Sequence, residues 1–471
     1  MSNSIPKDTS CAQRKKRSLF SKRTDLDPTS GPLFVTLLQF AFPILLANIV
    51  ATLFNAADMM VLSWFAKGNE IASVGATSSV ISLFTNFSVG LCGGVNIVLA
   101  RLVGQGDDRN ARRMISTAVI AAAGMGVLLA LVGFFFSEGT LALMNCPEEC
   151  LADATLYSVI YFLGAPFLLL NQYGAAILRV SGDSGRPLYY MLISGAVNVV
   201  LNTVFCLIFD RLVIAVALAT LTAQAVGAFL ALRRLTVAEG VCRWDIKNTK
   251  FDLSALKKIL LYGFPTALTN ALFPLTNVQV QSAINSFGPA AIAGNTAAIQ
   301  YESIVGMAGG AFQTAALTFV GQNLGARKKE RVYRSFLYCL FAGLITTATL
   351  AIAIYLFREP LLSIFVAGDA ASIAQGAVRM KYVMLFYILT VNPLASTIQA
   401  FGHPTLQTVI NVCSVLGLRT LWMQLLYPLN PTLDMLYLCY PITYIMNFLV
   451  YAPIVAYLFW QLKTDRYQYK I

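Results

Sequence analysis

Apolar runs of about 20 residues or more, divided by short polar breaks, recur from residue 33 almost to the end of the chain. Hydropathy and breaks together predict twelve helices, at about 33–64, 72–100, 114–136, 155–178, 188–209, 212–232, 259–285, 290–320, 335–357, 378–401, 405–427 and 433–461. Each run is long enough to cross about 30 Å of hydrocarbon as a helix. Only helices and closed barrels satisfy their backbone groups in lipid, and barrel strands need only about ten residues, so these runs exclude strands. The pattern predicts an all-α polytopic membrane protein with twelve transmembrane helices. An even number of crossings puts both termini on one side.

The polar stretches divide the chain further. Residues 1–32 form a basic tail with Arg14, Lys15, Lys16 and Arg17. They lack the apolar core and cleavage site of a signal peptide. Residues 233–258, with Arg233, Arg234, Trp244, Lys247 and Lys250, are the longest internal polar stretch. They are read as a connector between a six-helix N-lobe (33–232) and a six-helix C-lobe (259–462), with 463–471 as a second tail. Most cations fall in the two tails, the connector and the loops 101–113, 179–186 and 327–334. Lys67, Arg211, Arg358, Arg379 and Lys381 are assigned to the opposite side, and Arg419 to a helix interior. Positive charge marks the cytoplasmic side, so both termini are expected there.

Composition agrees: 57% of residues are apolar and only 12% charged, with a mean hydropathy of +0.67. Soluble proteins carry about a quarter charged residues. The net charge of +12 is spread between apolar runs rather than gathered on one soluble face, which argues against a nucleic-acid partner. Most of the nine cysteines sit singly in apolar runs. Cys146 and Cys150, around Pro147, are read as free thiols in preference to a disulfide or metal site.

The two halves echo each other. Phe42-Pro43 with Leu46 and Asn48 recurs as Phe264-Pro265 with Leu268 and Asn270, and Asn55 recurs as Asn277. Gly75 and Thr77 match Gly294 and Thr296; Val103-Gly104-Gln105 matches Val320-Gly321-Gln322. With an even number of helices per half, the repeat is parallel, about an axis along the membrane normal, and a central cavity between the halves is expected.

Taken in order, the Phe-Pro first helix with its lone Asp58, Gly104-Gln105, Leu178-Arg179 with Gly182 and Pro187, Asn198 with Asn202, and Gly321-Gln322-Asn323-Leu324-Gly325-Ala326 resemble the multidrug and toxic compound extrusion (MATE) family over about residues 33–460. The resemblance implies a cation-driven antiporter that exports amphiphilic, often cationic organic compounds. It also implies a cation site in the N-lobe and a substrate cavity between lobes. Carried over, the cation-binding and coupling residues are Asp58, Asn198, Asn202 and Thr220. Members often carry Asp where this chain has Asn202; this departure counts against Na⁺ and leaves proton coupling through Asp58 alone open.

An ionisable group at membrane depth is a functional hypothesis in its own right. Asp58 and Glu302 are the two acids well inside predicted helices, one per half. Asp58 shares a face with Asn48 and Asn55, and that stripe serves either ion coupling or an interhelical clamp. At about 1.5 Å per residue, Asp58, Asn202 and Thr220 all lie about 9–12 Å below the outer boundary, with Asn198 one turn deeper than Asn202. Glu302 is either a proton or drug-cation site, or the ion-pair partner of Arg419. Asn48, Asn55, Asn277, Gln281 and Glu302 are the candidate cavity residues, between helices 1, 2, 7 and 8. Pro43, Pro265 and Pro274 mark bends that either hinge or stay fixed.

No nucleophile–base set, phosphate loop or metal spacing occurs, and His403, the sole histidine, falls in a cytoplasmic turn, so an enzyme is not expected. The favoured reading is an antiporter in the cell's inner (plasma) membrane, exchanging a small organic substrate for H⁺ or Na⁺. It would act as a monomer among membrane lipids, without cofactor and without metal beyond Na⁺ at Asp58. A lipid-linked oligosaccharide or polysaccharide flippase is the alternative. It would need a cationic cavity to hold phosphates, whereas only Arg419 is read as deep.

Overall fold

The computed structural model describes residues 26–66, 70–144, 146–238, 241–366, 368–390 and 392–469. Residues 1–25 of the predicted tail, Lys67, and the chain's last two residues lie outside them. Every element among the described residues is helical. In the N-lobe the spans are α1 (Leu33–Phe65), α2 (Glu70–Gln105), α3 (Asp108–Leu143), α4 (Glu148–Leu163 continued by Ala165–Val180), α5 (Gly185–Ile208) and α6 (Leu212–Val237). In the C-lobe they are α7 (Leu253–Asn285), α8 (Pro289–Gly325), α9 (Lys329–Leu356), α10 (Ala370–Phe386, a 3-10 turn, then Asn392–Ala400), α11 (Pro404–Asn411 continued to Leu429) and α12 (Leu433–Tyr437, then Cys439–Lys463). That is twelve crossings in two six-helix lobes. A short helix, Arg358–Phe365, lies between α9 and α10.

Apolar side chains cover the outside. Phe135, Leu207 and Ile364 each leave about 70% of their surface exposed. A water-facing surface of this kind would aggregate, whereas lipid solvates it.

Helix ends differ from the hydropathy edges in a consistent way. At the cytoplasmic side α2, α3, α8 and α9 run several residues past their apolar stretches. Asp107 caps α3 by accepting from the backbone N–H of Asn110 (3.1 Å), so the turn holding Arg109, Arg112 and Arg113 is helical although polar. Hydropathy marks the lipid boundary, and the helix continues into water. The span α4 bends by 45° at Gly164, just before Pro166.

The start of α10 is a correction. It begins at Ala370, capped by Asp369, about two turns before the predicted start at 378. Arg379 is therefore inside the helix and only 4% exposed, not in an outer loop. The apolar run preceding it is short and broken by Gln375, Gly376 and the arginine itself, which hid the helix start.

The lobes meet through the inner halves of α1, α2, α7 and α8. A Cβ added to Gly90 would stand 2.3 Å from Ala267 Cα, and one on Gly94 2.3 Å from the Ile259 carbonyl. Nearer the cytoplasm, a Cβ on Gly104 would meet the Gln322 carbonyl at 2.0 Å, and one on Gly325 the Arg101 carbonyl at 2.2 Å. Glycine permits these backbones to touch. Leu37, Phe40 and Ile44 of α1 seal against Ala311, Ala315 and Phe319 of α8. Among the described residues the outermost polar contact between lobes is Thr52 Oγ1 to Met307 Sδ at 3.7 Å, near mid-membrane. The lobes are thus joined on the cytoplasmic side and parted on the outer side.

Candidate functional site

Between the parted lobes lies a cavity of about 610 Å³. Its walls come from α1, α2 and α4 of the N-lobe and α7, α8, α10, α11 and α12 of the C-lobe. Asn48 and Glu302, two of the predicted cavity residues, line it. Asn55, Asn277 and Gln281 do not. Asn55 shares the face of Asn48 but lies two turns further out, where the lobes have parted, and is exposed. Gln281 turns into the C-lobe, accepting from Asn295 Nδ2 (3.0 Å), and Asn277 accepts from Arg419 (3.4 Å).

The N-lobe site assembles at a separate place. Asn202, fully buried on α5, donates Nδ2 to Asp58 Oδ1 at 2.6 Å. Asn198 lies one turn away, and with its amide oriented by the hydrogen-bond network it donates to both carboxylate oxygens, to Oδ2 at 3.2 Å. Thr220 Oγ1 on α6 stands 3.5 Å from the Asn198 amide. The four residues singled out from sequence converge on one half-buried carboxylate. Asn202 Oδ1 is buried with no hydrogen-bond partner, and no lysine or arginine pairs with Asp58 among the described residues. Carboxylate, amide and hydroxyl oxygens gathered without a cation form a donor set of the kind that takes a proton or a hard cation.

The C-lobe holds a second polar cluster. Glu302, about 20 Å along α8 from Pro289 at about 1.5 Å per residue, pairs with Arg379 Nη2 at 2.5 Å, not with Arg419. Arg379 also donates to Asn295 Oδ1 (2.9 Å) and the Tyr440 hydroxyl (3.3 Å), and Tyr437 donates to the same Asn295 oxygen (3.2 Å). Arg419 lies 4.4 Å over the Tyr440 ring, and Arg379 is 4.8 Å from that ring. A third cation, Arg179 at the inner end of α4, lines the cavity although it was counted among cytoplasmic loop charges. Arg379 and Arg179 were missed for one reason: each lies within a turn or two of a misplaced helix edge.

Two lobes of six helices around a central cavity, parted on one face and bolted on the other, define a polytopic membrane transporter. The chain belongs to the MatE family: the family model matches residues 43–204 and 265–422, one segment in each half. This membership makes it a transporter, not an enzyme, and an integral protein of the cell membrane. It is 26% identical to a Bacillus subtilis protein named "Probable multidrug resistance protein YpnP", over 83% of this chain and 88% of that one. It is likewise 26% identical to a Shewanella oneidensis protein named "FAD transporter", over 82% and 86%. Among solved structures, a MOP superfamily transporter from Pyrococcus furiosus superposes with a TM-score of 0.85 at 21% identity, covering 93% of this chain and 98% of that one.

Proposed function

We propose that the chain is a secondary antiporter that exports small amphiphilic organic compounds through the interlobe cavity in exchange for a cation taken up at Asp58. The observation that carries this reading is the Asp58 cluster: a carboxylate inside one lobe, held by Asn202 and Asn198, beside a buried Asn202 oxygen with no partner. Such a site changes its shape with its occupant. With a proton as coupling ion, the two amides stay as donors and clamp the acid; with Na⁺, they turn their oxygens inward to join both carboxylate oxygens and Thr220 Oγ1. Either change alters the packing of α1 against α5, and α1 also carries the interlobe seal. Ion occupancy is thereby coupled to the closure of the lobes.

The relatives, named for multidrug resistance or for FAD, support small organic molecules as cargo. Cationic cargo is what the family resemblance implies; Glu302, the only acid among the described cavity residues, is the group that would meet it, and its Oε2 is held by Arg379. Transport in proteoliposomes under separately imposed proton and Na⁺ gradients tests the reading. Efflux is expected to follow one of the two gradients and to vanish in Asp58→Asn, which keeps the side chain's shape and removes the titratable group. Full gradient-driven efflux by that variant would refute the role of Asp58.

A further inference from the structure

The charge of the cavity wall is opposite to what a cation exporter needs. Among the described residues its lining holds two arginines, Arg179 and Arg419, against one acid, Glu302. The acid is ion-paired from behind by Arg379, which is 4% exposed and does not itself line the cavity. The Arg179 side chain makes no hydrogen bond or ion pair among the described residues, and its Nε is buried without a partner. Arg419 is presented differently. It sits on a four-residue α-helical piece, Leu418–Leu421, between two π-helical stretches, Val412–Gly417 and Trp422–Leu426. Such widened turns concentrate at functional positions. Its guanidinium lies over the Tyr440 ring, which it shares with Arg379, and donates to Asn277 Oδ1 at 3.4 Å, so its orientation is fixed.

The remaining lining combines Asn, Gln and Thr side chains and the rings of Tyr387, Tyr444 and Tyr451 with small and aliphatic residues such as Ile44, Val89 and Leu317. A volume of about 610 Å³ accommodates a drug-sized molecule. Guanidinium groups recognise phosphate and carboxylate in a bidentate manner, and low-dielectric walls focus their field. A cationic substrate entering this space would meet two like charges.

We propose that the cavity selects organic anions: molecules bearing a phosphate or carboxylate beside an aromatic or apolar body. This rests on the cavity being the transport site. It departs from the cationic cargo that the family resemblance implies, and it follows from this chain's own arginines. Arg419 would hold the anionic group from the C-lobe, Arg179 would draw it towards the cytoplasmic floor, and the tyrosines would flank the apolar body.

The test uses the whole chain in neutral detergent and in proteoliposomes, with riboflavin and riboflavin 5′-phosphate as probes that share one ring system and differ by the phosphate. Ethidium is the cationic comparison, and inorganic phosphate and phosphatidylglycerol serve as competitors. Riboflavin 5′-phosphate is expected to bind at least tenfold more tightly than riboflavin. Arg419→Gln should bring that ratio near one, while Arg419→Lys, which keeps the charge and guards against a folding artefact, should retain most of it. Arg179→Gln should lower the ratio as well. Equal binding of the two flavins, preferential binding of ethidium, or displacement by phosphatidylglycerol or inorganic phosphate at concentrations matched to the flavin would each overturn the proposal. Gradient-driven ethidium efflux without anion preference would leave the antiporter reading standing and remove this one. A phosphate preference in binding without gradient-driven transport of any probe would do the reverse.

Discussion

At the scale of residues, the ion pair of Glu302 with Arg379 is the most expensive feature of the membrane interior to disturb. Both groups lie at membrane depth, and Arg379 is 4% exposed. Removing one partner strands the other in low dielectric, a loss of about 3–5 kcal/mol, whereas removing both leaves only polar amides and hydroxyls to repack. Glu302→Gln and Arg379→Gln should therefore each lower the melting temperature and the yield of folded protein. The double variant should recover most of the loss. Stable single variants with lost transport would instead place Glu302 in ion or substrate handling. The acid was legible in the sequence because a glutamate in an apolar run stands out, but its partner was not. Arg419 looked like the only deep cation because Arg379 interrupts its own apolar run and so marked a false helix edge. The Asp58 cluster was legible for the opposite reason: its members are short polar groups that leave hydropathy intact, so the ends of α1, α5 and α6 were placed well and their depths could be compared.

At the scale of elements, the interlobe crossing depends on glycine more than on any side-chain contact. Gly90 and Gly94 stand four residues apart on α2, so they share a face, and α7 lies against them closely enough to exclude even a methyl group. Gly94→Leu should prevent α2 and α7 from meeting while leaving each lobe's own packing in place. The result should be a shift towards the state opened to the cytoplasm. Cys92, which lines the cavity beside this crossing, reports it in a background where the other cysteines are replaced. In the Gly94 variant Cys92 should react with an impermeant maleimide applied from the cytoplasmic side, and in the parent it should be protected. Equal protection in both would show that the crossing does not hold the cytoplasmic face shut. The repeated Val-Gly-Gln motif was visible as a sign of duplication. Its purpose was not, because that Gly104 meets the backbone of Gln322 is a fact about two helices distant in sequence. The π-helical stretches beside Arg419 were equally hidden, since helical periodicity does not separate a π turn from an α turn over so few residues.

At the scale of the whole molecule, the cytoplasmic face is fastened by both chain ends. The segment 26–31 runs beneath the lobes: Leu26 donates its N–H to the Gly182 carbonyl of the N-lobe (3.1 Å), while its following carbonyls accept from the C-lobe. Arg331 bonds the carbonyls of Pro28 (3.1 Å), Ser30 (2.8 Å) and Gly31 (3.1 Å), and Asn323 bonds Pro28 (3.0 Å). From the other end, Tyr467 of the C-lobe accepts from Arg101 of the N-lobe at 2.8 Å, and Arg101 also bonds the Ala400 carbonyl. Gln322 reaches across to the Val180 carbonyl at 2.5 Å. A transporter that alternates must break every contact joining the lobes on this side, so these straps set the population of the outward-facing state. Gly182 is where the N-terminal strap can be cut cleanly. Its φ of +86° already disfavours any side chain, and a Cβ there would lie 1.9 Å from the Leu26 carbonyl. Gly182→Ala should displace the strap from the Gly182 turn of the N-lobe, and Arg331→Ala should loosen it from the C-lobe without touching Gly182, leaving the bonds of Asn323 to Pro28 and of Lys328 to Thr29 (2.8 Å). With each net hydrogen bond contributing about 0.5–1.5 kcal/mol, loss of the three made by Arg331 should move the balance between states by about tenfold or more. Spin labels at the inner ends of α3 and α9 should show the lobes further apart in both variants. The fraction opened to the cytoplasm should rise in both, because each weakens the hold of the same segment on one of its two anchors. A rise in one variant alone would mean that its substitution acted within its own lobe and that the segment does not bridge the two.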